Sequence, residues 1–233
     1  MRPWLVMAQS GIDFRTETVS LAHMADPTKT VSLAERRKMG SVRGLFPVLR
    51  VVTGQGEEEQ QQEEDEAWIH ESLAISEYIA ELNPDANLWP NDPLERARAR
   101  ALCCEMVSGF QNLRSECPCA LFARVPSSFR PAPATAKDIE RVFEIWSECL
   151  SRSGGPFLFG AHFGIVDAMY YPVLTRFRTY CIDLPGGPIE TYAKAMESSP
   201  TVMKLVEIAR KEPSIPTYDD YIRKLGGDPE KEL

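Results

Sequence analysis

The run AWIHESLAISEYIAEL at residues 67–82 changes its hydrophobic spacing part-way along. Trp68 and Ile69 predict a short strand, because aromatic and β-branched side chains favour extended chain. From residue 72 to residue 82 the apolar side chains recur every three or four positions, which predicts an amphipathic helix. A strand that leads directly into a helix indicates an α/β domain.

A second expected strand, at residues 46–52, precedes this run and begins close to Pro47. Proline cannot donate a hydrogen bond to a sheet, so it belongs at the first residue of a strand or at an edge. Residues 57–66, between the two strands, are drawn only from Glu, Gln and Asp. Such a run cannot bury apolar surface, and we expect a solvated, disordered hairpin loop there.

Three further elements are expected upstream of these strands. Residues 3–10 predict a helix with Pro3 in its first turn and Gly11 at its C-terminal end. Residues 14–21 alternate in character and are rich in β-branched side chains, which predicts a strand. A short helix is expected near residues 33–39.

Downstream of the 67–82 run the strand signals stop and helical spacing takes over. Asp92 as a cap, followed by Pro93 and by Glu95 in the first turn, is a strong helix start. The expected helices lie at residues 93–123, 135–153, 165–181, 188–196 and 200–211.

This order of elements predicts two domains. The first is an α/β domain at residues 1–84 and the second is an all-α domain at residues 93–233, and a linker at residues 85–92 joins them.

The chain of 233 residues has a formal net charge of −8. An acidic balance argues against a nucleic-acid or anionic-membrane partner. The arginine run at residues 96–100 is therefore interpreted as a solvated or partner-facing helix surface. The sequence has no apolar run of the roughly 20 residues needed to cross a bilayer and no cleavable leader, so we expect a cytoplasmic protein.

Six cysteines and three histidines are scattered along the chain without the spacing of a metal site. We expect reduced thiols, mostly packed as small hydrophobic side chains, and no metal cofactor. No Cys-x-x-Cys pair occurs, which argues against a disulfide reductase.

Five short motifs, in this order, resemble those of the cytosolic glutathione S-transferase family, in its bacterial and zeta-like branch. They are RPWL at 2–5 with GI at 11–12, GLFPVL at 44–49, ESLAI at 71–75, LWP at 88–90 with the arginines of 96–100, and FLFG at 157–160 with IVDA at 165–168. The resemblance covers essentially the whole chain. It implies a thioredoxin-like N-terminal domain that binds glutathione and an all-α helical-bundle C-terminal domain.

The resemblance also implies a glutathione site. Pro47 would follow a cis peptide bond, and the backbone of Phe46 would pair with the cysteinyl part of glutathione. Ser72 and the N-terminus of its helix would hold the γ-glutamyl carboxylate, with Glu71 near the ammonium group. The alternatives are an ordinary proline at the start of a strand and an ordinary helix cap at Ser72.

A pocket for a small electrophilic second substrate would be lined by the helical domain, near Met106, Phe110 and Arg114. Aromatic and methionine positions at helical spacing are more often part of a core. The implied function is activation of the glutathione thiol toward an electrophile or for isomerisation, in a homodimer. The alternative is a non-catalytic glutathione-binding or scaffold protein on the same fold.

Three features depart from the family pattern. The thiol-activating Ser, Tyr or Cys of the family stands about half a dozen residues before the position of Arg2, so we expect it, and the first strand, upstream of Met1; the alternative is a genuine truncation that is compromised. Leu45 stands where the family often has lysine. Asp167 matches a buried aspartate that caps the central helix of the bundle, where Gly164 replaces the usual serine, and its implied role is in folding.

Overall fold

The computed structural model describes residues 1–19, 32–53 and 65–230, and a small sheet and helices make up its regular structure. In chain order the helices are α1 Arg2–Ser10, α2 Leu33–Lys38, α3 Ser72–Leu82, α4 Pro93–Ser108, α5 Gln111–Glu116, α6 Pro133–Ser153, α7 Ile165–Thr179, α8 Gly187–Ser198, α9 Pro200–Ala209 and α10 Pro216–Lys224. The strands are β1 Val48–Thr53 and β2 Asp65–His70.

The two strands form an antiparallel hairpin. Val48 pairs with His70 at one end of the ladder, and Thr53 pairs with Asp65 at the other. Both strands were predicted from the sequence, and β2 is longer than the Trp68–Ile69 pair that indicated it. Most of the acidic run, residues 57–64, lies outside the described residues.

Helix α1 agrees with its prediction and ends at Gly11, whose φ of 75° is readily adopted only without a side chain. Its buried side chains pack against α3 and against the helical part of the chain. The side-chain amide of Asn83 donates to the carbonyl of Ser10 at 2.6 Å and so ties the end of α1 to the end of α3.

The strand predicted at residues 14–21 is wrong over the described part, residues 14–19, which has no strand geometry. A strand needs a neighbour to satisfy its backbone groups, and no described strand lies beside this segment. Side chains hold it instead. Trp4 donates from its indole nitrogen to the Thr16 hydroxyl at 3.2 Å and packs edge-on against Phe14.

The helix predicted at residues 93–123 is also wrong in its extent. The chain leaves the helix after Ser108, where Gly109 takes an extended conformation with ψ of −172° and Phe110 takes a φ of 58°. A side chain at position 109 would meet the Glu105 carbonyl oxygen at 2.7 Å. Helix α5 then ends at Glu116. Helix α10 was not expected from the sequence.

Helix α7 is the centre of the helical part, and nearly all of its residues are buried. Aromatic rings of α6, α7 and α8 surround Trp146, which is fully buried. At the start of α7, Asp167 accepts hydrogen bonds from the backbone N–H groups of Leu158 and Gly164 at 3.0 and 2.8 Å. Among the described helices, none is long and apolar enough to cross a bilayer.

Candidate functional site

The register of the hairpin brings the predicted glutathione residues side by side. Because Val48 pairs with His70, Pro47 at the start of β1 lies beside Glu71 at the end of β2. The Phe46–Pro47 peptide bond is cis, as the resemblance implies. The side chain of Phe46 is exposed, so this end of the hairpin faces solvent.

Glu71 has an unusual backbone conformation. Its φ of 71° and ψ of 136° fall in a region that side-chain-bearing residues rarely occupy. Holding a residue there costs about 1–3 kcal/mol, and such residues cluster at ligand-binding sites. Glu71 is the residue immediately before α3, so its conformation sets how the chain enters that helix.

The first turn of α3 has no side-chain cap. Glu71 occupies the cap position, and Ser72 is the first helical residue, so Ser72 does not act as an ordinary helix cap. Ser72 is buried, and its carbonyl accepts from the Ser76 hydroxyl at 2.7 Å. The uncapped N–H groups at the positive end of an 11-residue helix suit an anion.

The loop before Phe46 is held by side chains of its own neighbourhood. The Ser41 hydroxyl donates to the Leu45 carbonyl at 2.5 Å, and Arg36 donates to the Gly44 carbonyl at 3.0 Å. Leu45 itself points to solvent with 55% of its surface exposed, where the family often has lysine. The loop is therefore fixed through its carbonyl groups rather than by burial of Leu45.

The residues predicted to line a second-substrate pocket lie where α4 and α5 meet. Met106 is fully buried and Phe110 is 7% exposed, and both belong to the hydrophobic core. Arg114 donates to the Met106 carbonyl. Of the three, Arg114 alone carries a charge that a ligand could use.

Arg114 belongs to a group of three arginines, which we call the arginine cluster: Arg2, Arg114 and Arg176. Arg2 donates to the Met169 carbonyl at 3.2 Å, and Arg176 donates to the Cys117 and Pro172 carbonyls at 2.8 Å each. Burial, and then the charges of the other two arginines, lowers the pKa of Arg2 to about 10. Burial followed by the charge of Arg176 likewise lowers the pKa of Arg114.

The positive charge of the arginine cluster is not balanced by a carboxylate. Within the residues the structure describes, the three guanidinium groups bond to backbone carbonyls and form no ion pair. The cluster could not be predicted from the sequence, because its members come from three helices far apart along the chain.

Two cavities open between helices of the C-terminal part. One of about 460 Å³ is lined by α7, α8 and α9, and one of about 430 Å³ by α4 and α6. None of the predicted site residues lines either cavity. All six cysteines are free, and three of them, Cys103, Cys117 and Cys149, are buried.

Comparisons with known proteins cover most of the chain. Residues 130–197 match the model of the glutathione S-transferase C-terminal domain. The chain is 28% identical over 160 residues to a probable maleylacetoacetate isomerase of Caenorhabditis elegans, covering 69% of this chain and 71% of that protein. It is 28% identical over 120 residues to the maleylacetoacetate isomerase of Rattus norvegicus, covering 52% and 54%.

Among solved structures, the fold resembles a maleylacetoacetate isomerase from Anaeromyxobacter dehalogenans, crystallised with bound dicarboxyethyl glutathione and citrate in the active site. The TM-score is 0.58 at 21% identity, with 87% of this chain and 86% of that chain covered. The chain therefore has the fold of the glutathione transferases. Its residues 130–197 match the glutathione S-transferase C-terminal domain, and the resemblance inferred from the sequence motifs is confirmed.

Proposed function

We propose that the chain binds glutathione where the hairpin meets α3. The observation that carries the proposal is the juxtaposition of Phe46 and Pro47 with Glu71, which holds a rare backbone conformation in front of an uncapped helix. Relatives with the same fold have been crystallised with glutathione, which supports the same ligand here.

Each part of glutathione has a matching group in this arrangement. The backbone of Phe46 pairs with the cysteinyl backbone in the manner of an added strand residue. The γ-glutamyl carboxylate takes hydrogen bonds from the uncapped N–H groups of α3 and from the Ser72 hydroxyl, where the helix dipole favours negative charge. The Glu71 carboxylate pairs with the ammonium group.

The proposed reaction is transfer of the glutathione thiol to an electrophile, or its use in an isomerisation. The unbalanced charge of the arginine cluster favours an electrophile that carries a carboxylate, because an arginine pairs with a carboxylate through two parallel hydrogen bonds. Arg114 is the member of the cluster that we assign to this carboxylate, and Met106 and Phe110 belong to the hydrophobic core beside it.

A non-catalytic glutathione-binding protein is the second candidate. It rests on the same groups, Phe46, Glu71 and Ser72, and differs only in lacking turnover. We further propose a cytoplasmic homodimer, with residues 1–84 as the glutathione-binding domain, residues 85–92 as a linker and residues 93–233 as the helical domain.

The test is glutathione-dependent consumption of two electrophiles, one neutral and one bearing carboxylates, with glutathione binding measured in parallel. The transferase proposal predicts turnover of both, and Arg114→Met is expected to raise the KM for the carboxylate-bearing electrophile alone. Binding without turnover would favour the non-catalytic protein. Absence of glutathione binding would contradict both.

A further inference from the structure

A fully buried serine, Ser41, lies in the loop that leads to Phe46. Its backbone carbonyl accepts from the Gly44 N–H at 2.9 Å, which closes a tight turn. Gly44 has a φ of 72°, and a Cβ atom built on it would lie 2.8 Å from a methyl group of Leu33 on α2. The turn is therefore packed against α2, so Ser41 has a fixed position relative to the chain that follows.

The Ser41 hydroxyl provides the hydrogen bond of the Leu45 carbonyl, at 2.5 Å. In the described ranges of the chain, this carbonyl accepts no second bond from a backbone N–H group. The Leu45 carbonyl and the Phe46 N–H belong to one peptide unit, which is trans. A trans peptide unit is planar, and its C=O and N–H bonds point in opposite directions. By holding the carbonyl, the hydroxyl therefore fixes the direction of the Phe46 N–H.

The Phe46 N–H has no hydrogen-bond partner within the part of the chain that the structure describes. Strand β1 begins at Val48, so the ladder of the hairpin does not include this group. In the proposed function, it donates to the cysteinyl carbonyl of glutathione, as an added strand residue would. Such a bond weakens steeply when its angle departs from linearity. The orientation of the Leu45–Phe46 peptide unit therefore determines how well the bond forms.

We propose that Ser41 is a positioning residue for glutathione, an inference that rests on the proposed function. Its hydroxyl does not touch glutathione. It holds the Leu45 carbonyl and so directs the Phe46 N–H toward the cysteinyl carbonyl. The same bond polarises the peptide unit, because linked hydrogen bonds strengthen one another. The alternative is a hydroxyl that stabilises the turn alone.

Ser10 offers a matched comparison for this role. It is 5% exposed, and its hydroxyl donates to the Met7 carbonyl at 2.7 Å. Its own carbonyl is bonded to Asn83, which follows the last residue of α3, whereas the proposed site lies at the other end of that 11-residue helix. At 1.5 Å per residue the two ends are about 16 Å apart. Ser10→Ala thus removes the same kind of bond far from glutathione.

The experiment titrates the ¹⁵N-labelled full chain with reduced glutathione and follows the amide proton of Phe46. In the unaltered chain this proton is expected to move downfield at saturation, because the N–H gains an acceptor. Ser41→Ala is expected to bind glutathione about three- to tenfold more weakly. Its downfield shift at saturation is expected to be smaller, because the peptide unit is no longer held in one orientation. Ser10→Ala should keep both the affinity and the shift.

Three results would overturn the positioning role. The first is a Phe46 amide proton that saturating glutathione leaves unshifted in the unaltered chain, a result that needs no variant. The second is a Ser41→Ala chain with the unaltered shift, which would assign the hydroxyl to the turn alone. The third is equal weakening by Ser41→Ala and Ser10→Ala. Absence of glutathione binding in the unaltered chain would instead contradict the proposed function itself.

Discussion

Among single residues, Glu71 shows how a strained backbone conformation can indicate a ligand-binding site. A Glu with φ of 71° is held there by the hairpin on one side and α3 on the other. Glycine would adopt the same backbone conformation without the cost of a Cβ atom. Glu71 is retained in that conformation beside an uncapped helix end, which is the reason to assign it to ligand binding rather than to the fold.

Replacing Glu71 separates these two roles. Glu71→Gly is expected to raise the free energy of unfolding by about 1 kcal/mol, because the strain is relieved, and to weaken glutathione binding, because the carboxylate is lost. Glu71→Gln is the matched control, which keeps the strain and loses the charge. It should weaken glutathione binding without a gain in stability, as measured by urea unfolding and calorimetry. A Glu71→Gly chain that is less stable than the unaltered chain would contradict the assignment of strain.

Asp167 gives a second prediction at this scale, in the pH dependence of stability. Burial raises the pKa of its carboxyl to about 7 in the folded chain, against an ordinary value of 3.8. Between these two values the folded state binds more protons than the unfolded state. The stability that the group contributes is therefore fully present below pH 3.8 and is lost as the pH rises through about 7.

The measurement is the difference in free energy of unfolding between the unaltered chain and Asp167→Asn, from urea unfolding at several pH values. As the pH rises from 4.5 to 7, the unaltered chain is expected to lose free energy of unfolding relative to Asp167→Asn, by up to about 1.4 kcal/mol per pH unit. Other titrating groups cancel in the subtraction. A difference that stays constant over this range would show that the Asp167 pKa is not raised.

At the scale of the element, the position of the hairpin depends on the turn that follows α2. Gly40 has a φ of 80°, and a Cβ atom built on it would fall within the ring of Trp68 on β2. The turn and the strand are thus in direct contact. This contact holds β2, and with it the end of β2 at which Glu71 stands.

Gly40→Ala is therefore expected to lower the free energy of unfolding by more than the cost of a left-handed alanine alone. Gly11→Ala is the matched control, since Gly11 has a φ of 75° and nothing within 4 Å of the added atom. The control should lose about 1–2 kcal/mol and Gly40→Ala an additional 1–3 kcal/mol from overpacking. Equal losses, measured by circular dichroism in urea, would mean that the turn does not pack on Trp68.

The sequence predicted those elements whose signals are local. Helix α3 was predicted at its observed bounds, because residues 67–82 contain both its apolar spacing and the residues that indicate the preceding strand. Helix α1 was placed as well, since Pro3 and Gly11 mark its two ends. The glutathione residues were named from the motif resemblance, and their assignment remains a proposal.

Features that depend on distant neighbours could not be predicted. The segment at residues 14–19 has the alternating side chains of a strand but no described partner strand, so the alternation alone predicted the wrong structure. The break after Ser108 lies in the backbone conformations of Gly109 and Phe110. The arginine cluster joins three helices, and no local pattern in the sequence marks its members.

At the scale of the whole molecule, α1 connects the hairpin region with the helical part. It packs against α3 on one side and against α7 and α9 on the other. Arg2 bonds to the Met169 carbonyl on α7, and the Thr201 hydroxyl on α9 donates to the Gln9 side chain at 2.7 Å. The proposed glutathione site and the arginine cluster are thus attached to one rigid helix.

The most direct test of the central claim is calorimetric titration of the chain with reduced glutathione. The account predicts saturable binding, about tenfold weaker in Ser72→Ala, because one hydrogen bond to the γ-glutamyl carboxylate is lost. Ser128→Ala, at an exposed serine, should bind as the unaltered chain does. No binding by the unaltered chain, or equal binding by Ser72→Ala, would contradict the claim that glutathione lies where the hairpin meets α3.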